Sequence, residues 1–288
     1  MKKYTVFFSL SLLFACSSKS QENNFKEVFS LDKKHTEVSG MIFHQPTQKL
    51  LMLQDKGNAA ELYVYSVEGT FENTVAVNNQ ENTDWEDLSQ DINGNIYIGN
   101  FGNNDNDRKD LRILKVDAGA LTSNSVTTSQ ETTFYYEDQT DFPPKKSNLL
   151  YDCEAFVATN DAFYLFTKNR SKGFDGTFYV YKIPNKPGNF KAEKIATLQT
   201  CDQYKSCAIT GAALNKNGKE IALLTHDKVL LIPFVNDASF KQENITIKEL
   251  GHNSQKEAIT FKSDKKLFMA DESEKGKNGG KVFVLDLN

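Results

Sequence analysis

A short pattern recurs five times along this chain: an oxygen-bearing side chain, a small or short residue, then an apolar one. It stands as Ser39-Gly40-Met41, Glu86-Asp87-Leu88, Glu154-Ala155-Phe156, Thr210-Gly211-Ala212 and Glu257-Ala258-Ile259. Each copy opens a run of short alternating segments rich in β-branched and aromatic residues, and no long stretch has helical spacing. Tandem repetition constrains the fold more than composition does, because each unit must bury its apolar faces against its neighbours.

The repeats divide into strands. Repeat one reads 39–43, 49–54, 61–67 and 71–77; repeat two reads 86–91, 95–100, 111–116 and 132–137. Repeat three reads 154–159, 162–167, 177–183 and 191–198; repeat four reads 210–214, 220–225, 228–233 and 245–250. Repeat five has only 257–261, 265–270 and 281–287, and the missing strand is found ahead of repeat one, at 25–31. The expected fold is all-β: a five-bladed β-propeller, four strands per blade, closed by the N-terminal strand so that no sheet edge stays open. Turn signals at Asp91-Ile92-Asn93-Gly94 and Asn215-Lys216-Asn217-Gly218 separate first from second strands. Residues 117–131 and 138–152 are left over, and a hidden sixth blade there is the alternative. No Gly-, Pro- or Ser-rich linker divides residues 25–288, which read as one domain.

The formal net charge of −4 gives no footing for nucleic acid, and four cysteines are too few for a disulfide scaffold. Lys2 and Lys3, an apolar run from Tyr4 to Ala15, and Cys16 read as a targeting segment too short to span a bilayer. Leu13-Phe14-Ala15-Cys16 resembles a bacterial lipobox. That resemblance implies a signal peptide over 1–15, lipidation (palmitate) at Cys16, a tether over 16–24, and a membrane lipoprotein in the periplasm or on the cell surface. The alternative is an ordinary signal peptide with a chance cysteine. In such an oxidising compartment Cys201 and Cys207 are a disulfide candidate, the alternative being two unrelated thiols, and Cys153 is left over.

In a propeller the first strand of each blade lines the central channel. Ser39, Glu86, Glu154, Thr210 and Glu257 are therefore expected at one level around the axis. Two carboxylates about 5 Å apart at an effective dielectric near 20 repel by roughly 3 kcal/mol, so a proton or a cation is needed between them. The donors are hard oxygens, which select Ca²⁺, and Mg²⁺ less well. The alternative is that these side chains hydrogen-bond across the blade junctions without metal.

The order Ser, Glu, Glu, Thr, Glu resembles the calcium-activated nucleotidases (apyrases), five-bladed propellers whose central Ca²⁺ is held by Ser, Glu, Glu, Ser, Glu. Thr210 is the one change and keeps the hydroxyl. The resemblance covers the architecture and these five positions. Asp84-Trp85-Glu86-Asp87, Gly99-Asn100-Phe101-Gly102-Asn103-Asn104 and Lys256-Glu257-Ala258-Ile259 also resemble a broad group of exported bacterial propellers that includes phytase-like proteins.

Around the ring, second-strand ends and their loops are polar. Asp55, Trp85, Asn100, Arg108, Lys168, Arg170, His226 and Asp271 are the candidates for a ligand face, suited to an anionic small molecule or a protein partner. No catalytic constellation is legible: there is no nucleophile elbow, phosphate-binding glycine loop or zinc motif. Asn103-Asn104-Asp105-Asn106-Asp107 has the flavour of a calcium loop but lacks the glycine and distal Glu of an EF-hand, and reads rather as a solvated turn. The leading expectation is a Ca²⁺-stabilised binding or scaffold module, and the alternative is a Ca²⁺-dependent phosphohydrolase.

Overall fold

The computed structural model describes Met1, residues 24–273 and 280–287. The targeting run, Cys16 and nearly all of the tether lie outside the described residues.

The chain is built from antiparallel meanders. Strand β1 (Phe25–Ser30) precedes the first, made of β2 (Val38–His44), β3 (Lys49–Gln54), β4 (Glu61–Tyr65) and β5 (Phe71–Val77). The second is β6 (Trp85–Gln90), β7 (Ile96–Asn100), β8 (Arg112–Val116) and, after the two-residue β9 (Ser125–Val126), β10 (Gln130–Tyr136). The third is β11 (Asp152–Ala158), β12 (Ala162–Lys168), β13 (Thr177–Pro184) and β14 (Gly188–Gln199). The fourth is β15 (Gly211–Leu214), β16 (Glu220–Leu224), β17 (Lys228–Pro233) and β18 (Thr246–Glu249). The last is β19 (Lys256–Ser263), β20 (Lys266–Asp271) and β21 (Lys281–Asp286).

These strands form four sheets, because the outermost strands of the second and third meanders, β10 and β14, pair in parallel and fuse two four-stranded units into one eight-stranded sheet. Strand β1 pairs antiparallel with β21, so the N-terminal strand completes the sheet of the last repeat. The innermost strands touch in a cycle, β2 to β6 to β11 to β15 to β19 and back to β2. Five apolar clusters fill the spaces between successive meanders. One, for example, holds Leu51, Leu53 and Leu62 of the first with Leu88, Ile96 and Ile98 of the second. Another joins Phe268 and Val284 to Met41 and Leu50, from the last repeat back to the first. This radial arrangement of sheets about an axis is a β-propeller.

The stretch 138–151 contributes no strand, and 117–131 contributes a 3₁₀ turn (Ala118–Thr122) and β9, which pairs in parallel with β5. The Asn103–Asp107 segment is a turn that is solvated only in part, with Asp105 and Asp107 exposed. Asn103 and Asn106 are buried, and the Asn106 side chain accepts from Tyr151 N at 2.7 Å while donating to Asn103 O at 2.9 Å. Gln139 adds a bond to Asn106 O, so this segment anchors the long connection. Cys201 and Cys207 form a disulfide with Cα atoms 5.5 Å apart, around the one-turn helix α1 (Tyr204–Cys207), while Cys153 is a free thiol in the core.

Inside the channel, the strands approach closely. A Cβ on Gly40 would lie 2.6 Å from Leu88 N, so only glycine fits there. Asp87 is not a passive short residue. It is fully buried, its Oδ1 accepts its neighbour Leu88 N at 2.8 Å and its Oδ2 accepts Phe156 N at 3.1 Å, with a further backbone bond from Ala212. One carboxyl thus ties the innermost strands of three meanders together across the axis. Below it Ile42, Leu88, Ala212 and Ile259 leave a void of only about 10 Å³. The close approach of Gly40 to Leu88 and the Asp87 bonds narrow the middle of the channel between its two mouths.

Candidate axial site

The recurring oxygen-bearing residues owe their direction to β-bulges. In β2 the register passes from Val38↔Gln54 to Gly40↔Leu53, leaving Ser39 as the extra residue. The same slip singles out Glu86 in β6, Glu154 in β11 and Glu257 in β19. Thr210 immediately precedes β15 and bonds through its N–H to Leu224 O. A bulge turns the extra residue out of the alternation and re-aims its side chain. The flanking core residues consequently stand three apart: Val38 and Met41, Trp85 and Leu88, Cys153 and Phe156, Ile209 and Ala212 all pair within one cluster.

The five do not share one environment. Ser39 Oγ donates to Trp85 O at 2.8 Å and Thr210 Oγ1 donates to Lys256 O at 2.6 Å, each crossing to the next repeat. Glu154 and Glu257 are joined through Lys168, whose Nζ lies 3.1 Å from Glu154 Oε2 and 3.9 Å from Glu257 Oε2. Arg170 donates to Asp152 and to the other oxygen of Glu154. Against the upward push of burial, Lys168 and then Arg170 hold the Glu154 carboxyl at about 2. The same carboxylates hold Lys168 firmly protonated despite its burial. His226 places Nε2 3.2 Å from Glu257 Oε1 and Nδ1 2.8 Å from Lys205 O.

Glu86 has different company. Its carboxylate, that of Asp84 two residues earlier, and that of Asp55 at the end of the preceding repeat's second strand each bring an oxygen within 4.8 Å of the others. Among the described residues no hydrogen-bond donor or ion-pair partner reaches the Glu86 carboxylate, although that residue is 6% exposed. Asp84 Oδ1 is buried without a hydrogen-bond partner, with only the half-exposed Lys56 ammonium 3.5 Å away. Burial, with the Glu154 and Asp55 charges added, pushes the Glu86 carboxyl well above its ordinary range. Burial and the adjacent Asp84 lift Asp55 to about 7. Glu272, beside Glu257 and Asp55, is lifted to about 8, by burial first. Gly102 packs so closely here that a Cβ would stand 2.0 Å from Glu86 Oε1.

Several expected face residues are placed elsewhere. Trp85 is fully buried, its ring packed among the apolar residues between the first and second meanders. Asn100 is buried too, accepting from Asp84 N and donating to Glu81 O to pin the 81–84 turn. Arg108 folds back on Gly102 O and Asp110. Asp271 accepts from Lys281 N at 2.6 Å and so holds the start of β21. Lys168, Arg170, His226 and Asp55 do gather at the axial mouth. Asp84, Asp152 and Glu272 join them without having been singled out. For the first two a signal existed, since Asp84-Trp85-Glu86 and Asp152-Cys153-Glu154 share an aspartate two residues before the recurring glutamate.

Fold and site together define a β-propeller protein with a densely charged mouth at one end of its axis, in which carboxyls outnumber cations. No family model and no curated protein matches the chain. Among solved structures it is similar to the PQQ-bound aldose sugar dehydrogenase of Streptomyces coelicolor, at 9% identity and TM-score 0.49 over 90% of this chain and 98% of that one. It is also similar to a gluconolactonase of Xanthomonas campestris, at 12% identity and TM-score 0.48 over 90% of this chain and 89% of that one. A nidogen/laminin complex gives 12% identity and TM-score 0.46 over 82% of this chain and 73% of that one. At these identities and scores the chemistry of those proteins does not transfer to this chain.

Proposed function

We propose that the chain is an exported lipoprotein, anchored at Cys16, whose propeller is a five-bladed binding module that holds a divalent cation, Ca²⁺ in preference to Mg²⁺, at Asp55, Asp84 and Glu86. The observation that carries the reading is the Glu86 carboxylate, buried beside two more carboxylates with no donor of its own. A buried cluster of like charges demands protons or a cation. Three carboxylates supply three to six oxygens, toward the six to eight that Ca²⁺ takes, and leave positions for water or a ligand's oxygen. The flexible coordination of Ca²⁺ suits donors from two repeats better than the strict octahedron of Mg²⁺.

This set serves a cation better than the ring of Ser39, Glu86, Glu154, Thr210 and Glu257, because Lys168 and Arg170 already pair with Glu154 and Lys168 also reaches Glu257. The same pairing favours binding over phosphoester hydrolysis, since the cations a phosphate would need are held by carboxylates. Dividing the eight-stranded sheet at the β10–β14 pair, together with the cycle of innermost strands, supports the five-bladed reading. The bound ion would present its open positions to an anionic group of a small molecule or protein partner.

The test is thermal unfolding of the soluble domain in Ca²⁺ and in chelator. Ca²⁺ at a hundred times its dissociation constant adds about 2.7 kcal/mol to the folded state. The melting temperature should therefore rise in Ca²⁺ for the natural domain and hardly move for Glu86→Gln. Equal melting with and without Ca²⁺ would remove the cation from the account.

A further inference from the structure

The opposite mouth of the channel is chemically unlike the first. A cavity of about 260 Å³ opens there, lined by the turns that join first to second strands. Four successive repeats place amide side chains on it: Gln45, Gln90, Asn160, and from the fourth Asn215 and Asn217, the last already engaged by Asp264 and Lys219 N. The last repeat contributes Phe261.

These amides keep hydrogen-bonding capacity to spare. Gln90 is fixed by donating through Nε2 to Phe43 O at 2.7 Å, which leaves its buried Oε1 as an acceptor without a partner. Asn215 uses Oδ1 to accept Lys219 N and Glu220 N, and among the described residues its Nδ2 has no acceptor. No bond to another described residue engages the side-chain amides of Gln45 or Asn160. The one carboxylate in the lining, Asp91, is spent on Asn93 N, Asn95 and Tyr97. Lys216 is the one cationic side chain in the lining and lies on the exposed turn. Pro46, Leu214 and Phe261 give the cavity apolar walls.

A neutral cavity that mixes apolar walls with converging amide donors and acceptors discriminates against ions, which would lose hydration without a counter-charge. It fits a molecule carrying several hydroxyls on a compact ring with apolar C–H faces. Its volume sits just below the usual ligand-pocket range of roughly 300–1,000 Å³, the scale of a single sugar residue. We infer that this mouth binds a neutral monosaccharide unit, free or at the end of a glycan, through Gln45, Gln90, Asn160 and Asn215. The narrow middle of the channel, at Asp87 and Gly40, separates it from the acidic mouth.

The experiment is saturation-transfer NMR of the natural domain with glucose, galactose, mannose, xylose and N-acetylglucosamine, each tested alone. Transfer to at least one sugar is expected. Gln90→Met and Asn160→Ala should each weaken it about fivefold or more, as expected for a lost hydrogen bond in a confined site. Lys191→Ala, on the exposed outer strand β14, should leave it unchanged. Asn160 is exposed on a turn, so its variant tests the site even if Gln90→Met folds poorly. No transfer to any of the sugars, or binding indifferent to both variants, would overturn the inference.

Discussion

The ammonium of Lys168 stands 3.1 Å from Glu154 Oε2 inside the charged mouth, with both residues more than nine-tenths buried. The sequence places an inorganic ion at this level, whereas the fold supplies the end of a lysine from the neighbouring strand β12. Two carboxylates from different repeats, Glu154 and Glu257, thereby share one positive charge.

Lys168→Met would leave those carboxylates buried with less compensation. Removing one partner of a buried pair costs about 3–5 kcal/mol. Urea unfolding at neutral pH should show a loss of that order with an unchanged slope. A loss under 1 kcal/mol would mean that Arg170 and His226 suffice and that the lysine is incidental.

Asp87 gives a second structural expectation. Its oxygens accept backbone N–H groups from Leu88 and Phe156, so an amide NH₂ at either position would confront another donor. Asp87→Asn should cost about 1–3 kcal/mol of stability by chemical denaturation. Stability equal to the natural domain would show that the inner strands are held by packing alone.

The protonation of the mouth fixes a pH dependence. Asp55, lifted to about 7, and Glu272, lifted to about 8, bind protons more tightly in the folded than in the unfolded chain. Their contribution is fully present below the unfolded carboxyl range near pH 4 and is lost as pH climbs through about 7 to 8. In chelator, stability should fall between pH 5 and 8, by at most about 1.4 kcal/mol per pH unit for each group. Ca²⁺ should flatten the fall by replacing the protons. Denaturation midpoints across this range, with and without Ca²⁺, measure it; a rise toward pH 8 in chelator would contradict the assignment.

Much of the architecture is legible in the chain because strand alternation and turn residues act locally. The completion of the last sheet by β1 follows from counting strands, and the pairing of Phe25 with Leu285 agrees with it. The recurring oxygen-bearing residues are visible because each bulge needs one extra residue at the same place. Their partners are not visible. Asp55 reaches Glu86 from the end of another repeat's second strand, and Lys168 reaches Glu257 across an interface, which no spacing within one repeat encodes. Trp85 misleads for the opposite reason: it neighbours the bulge residue in sequence, and the pleat sends its ring into the core. Gln45, Asn160 and Asn215 of the second mouth lie in turns, where Asn and Gln read as turn chemistry and nothing more, and Gln90 ends β6.

The central claim is that Asp55, Asp84 and Glu86 hold a divalent cation, and terbium luminescence tests it most directly. Tb³⁺ stands in for Ca²⁺, and Trp85, the only tryptophan and the residue between Asp84 and Glu86, is the excitation donor. The expected result is sensitised emission that saturates at one equivalent of Tb³⁺, that excess Ca²⁺ displaces, that Asp84→Asn and Glu86→Gln abolish, and that Thr210→Ala preserves. Emission that persists in Asp84→Asn and disappears in Thr210→Ala would instead place the ion on the ring, and no Ca²⁺-displaceable emission from the natural domain would contradict the site altogether.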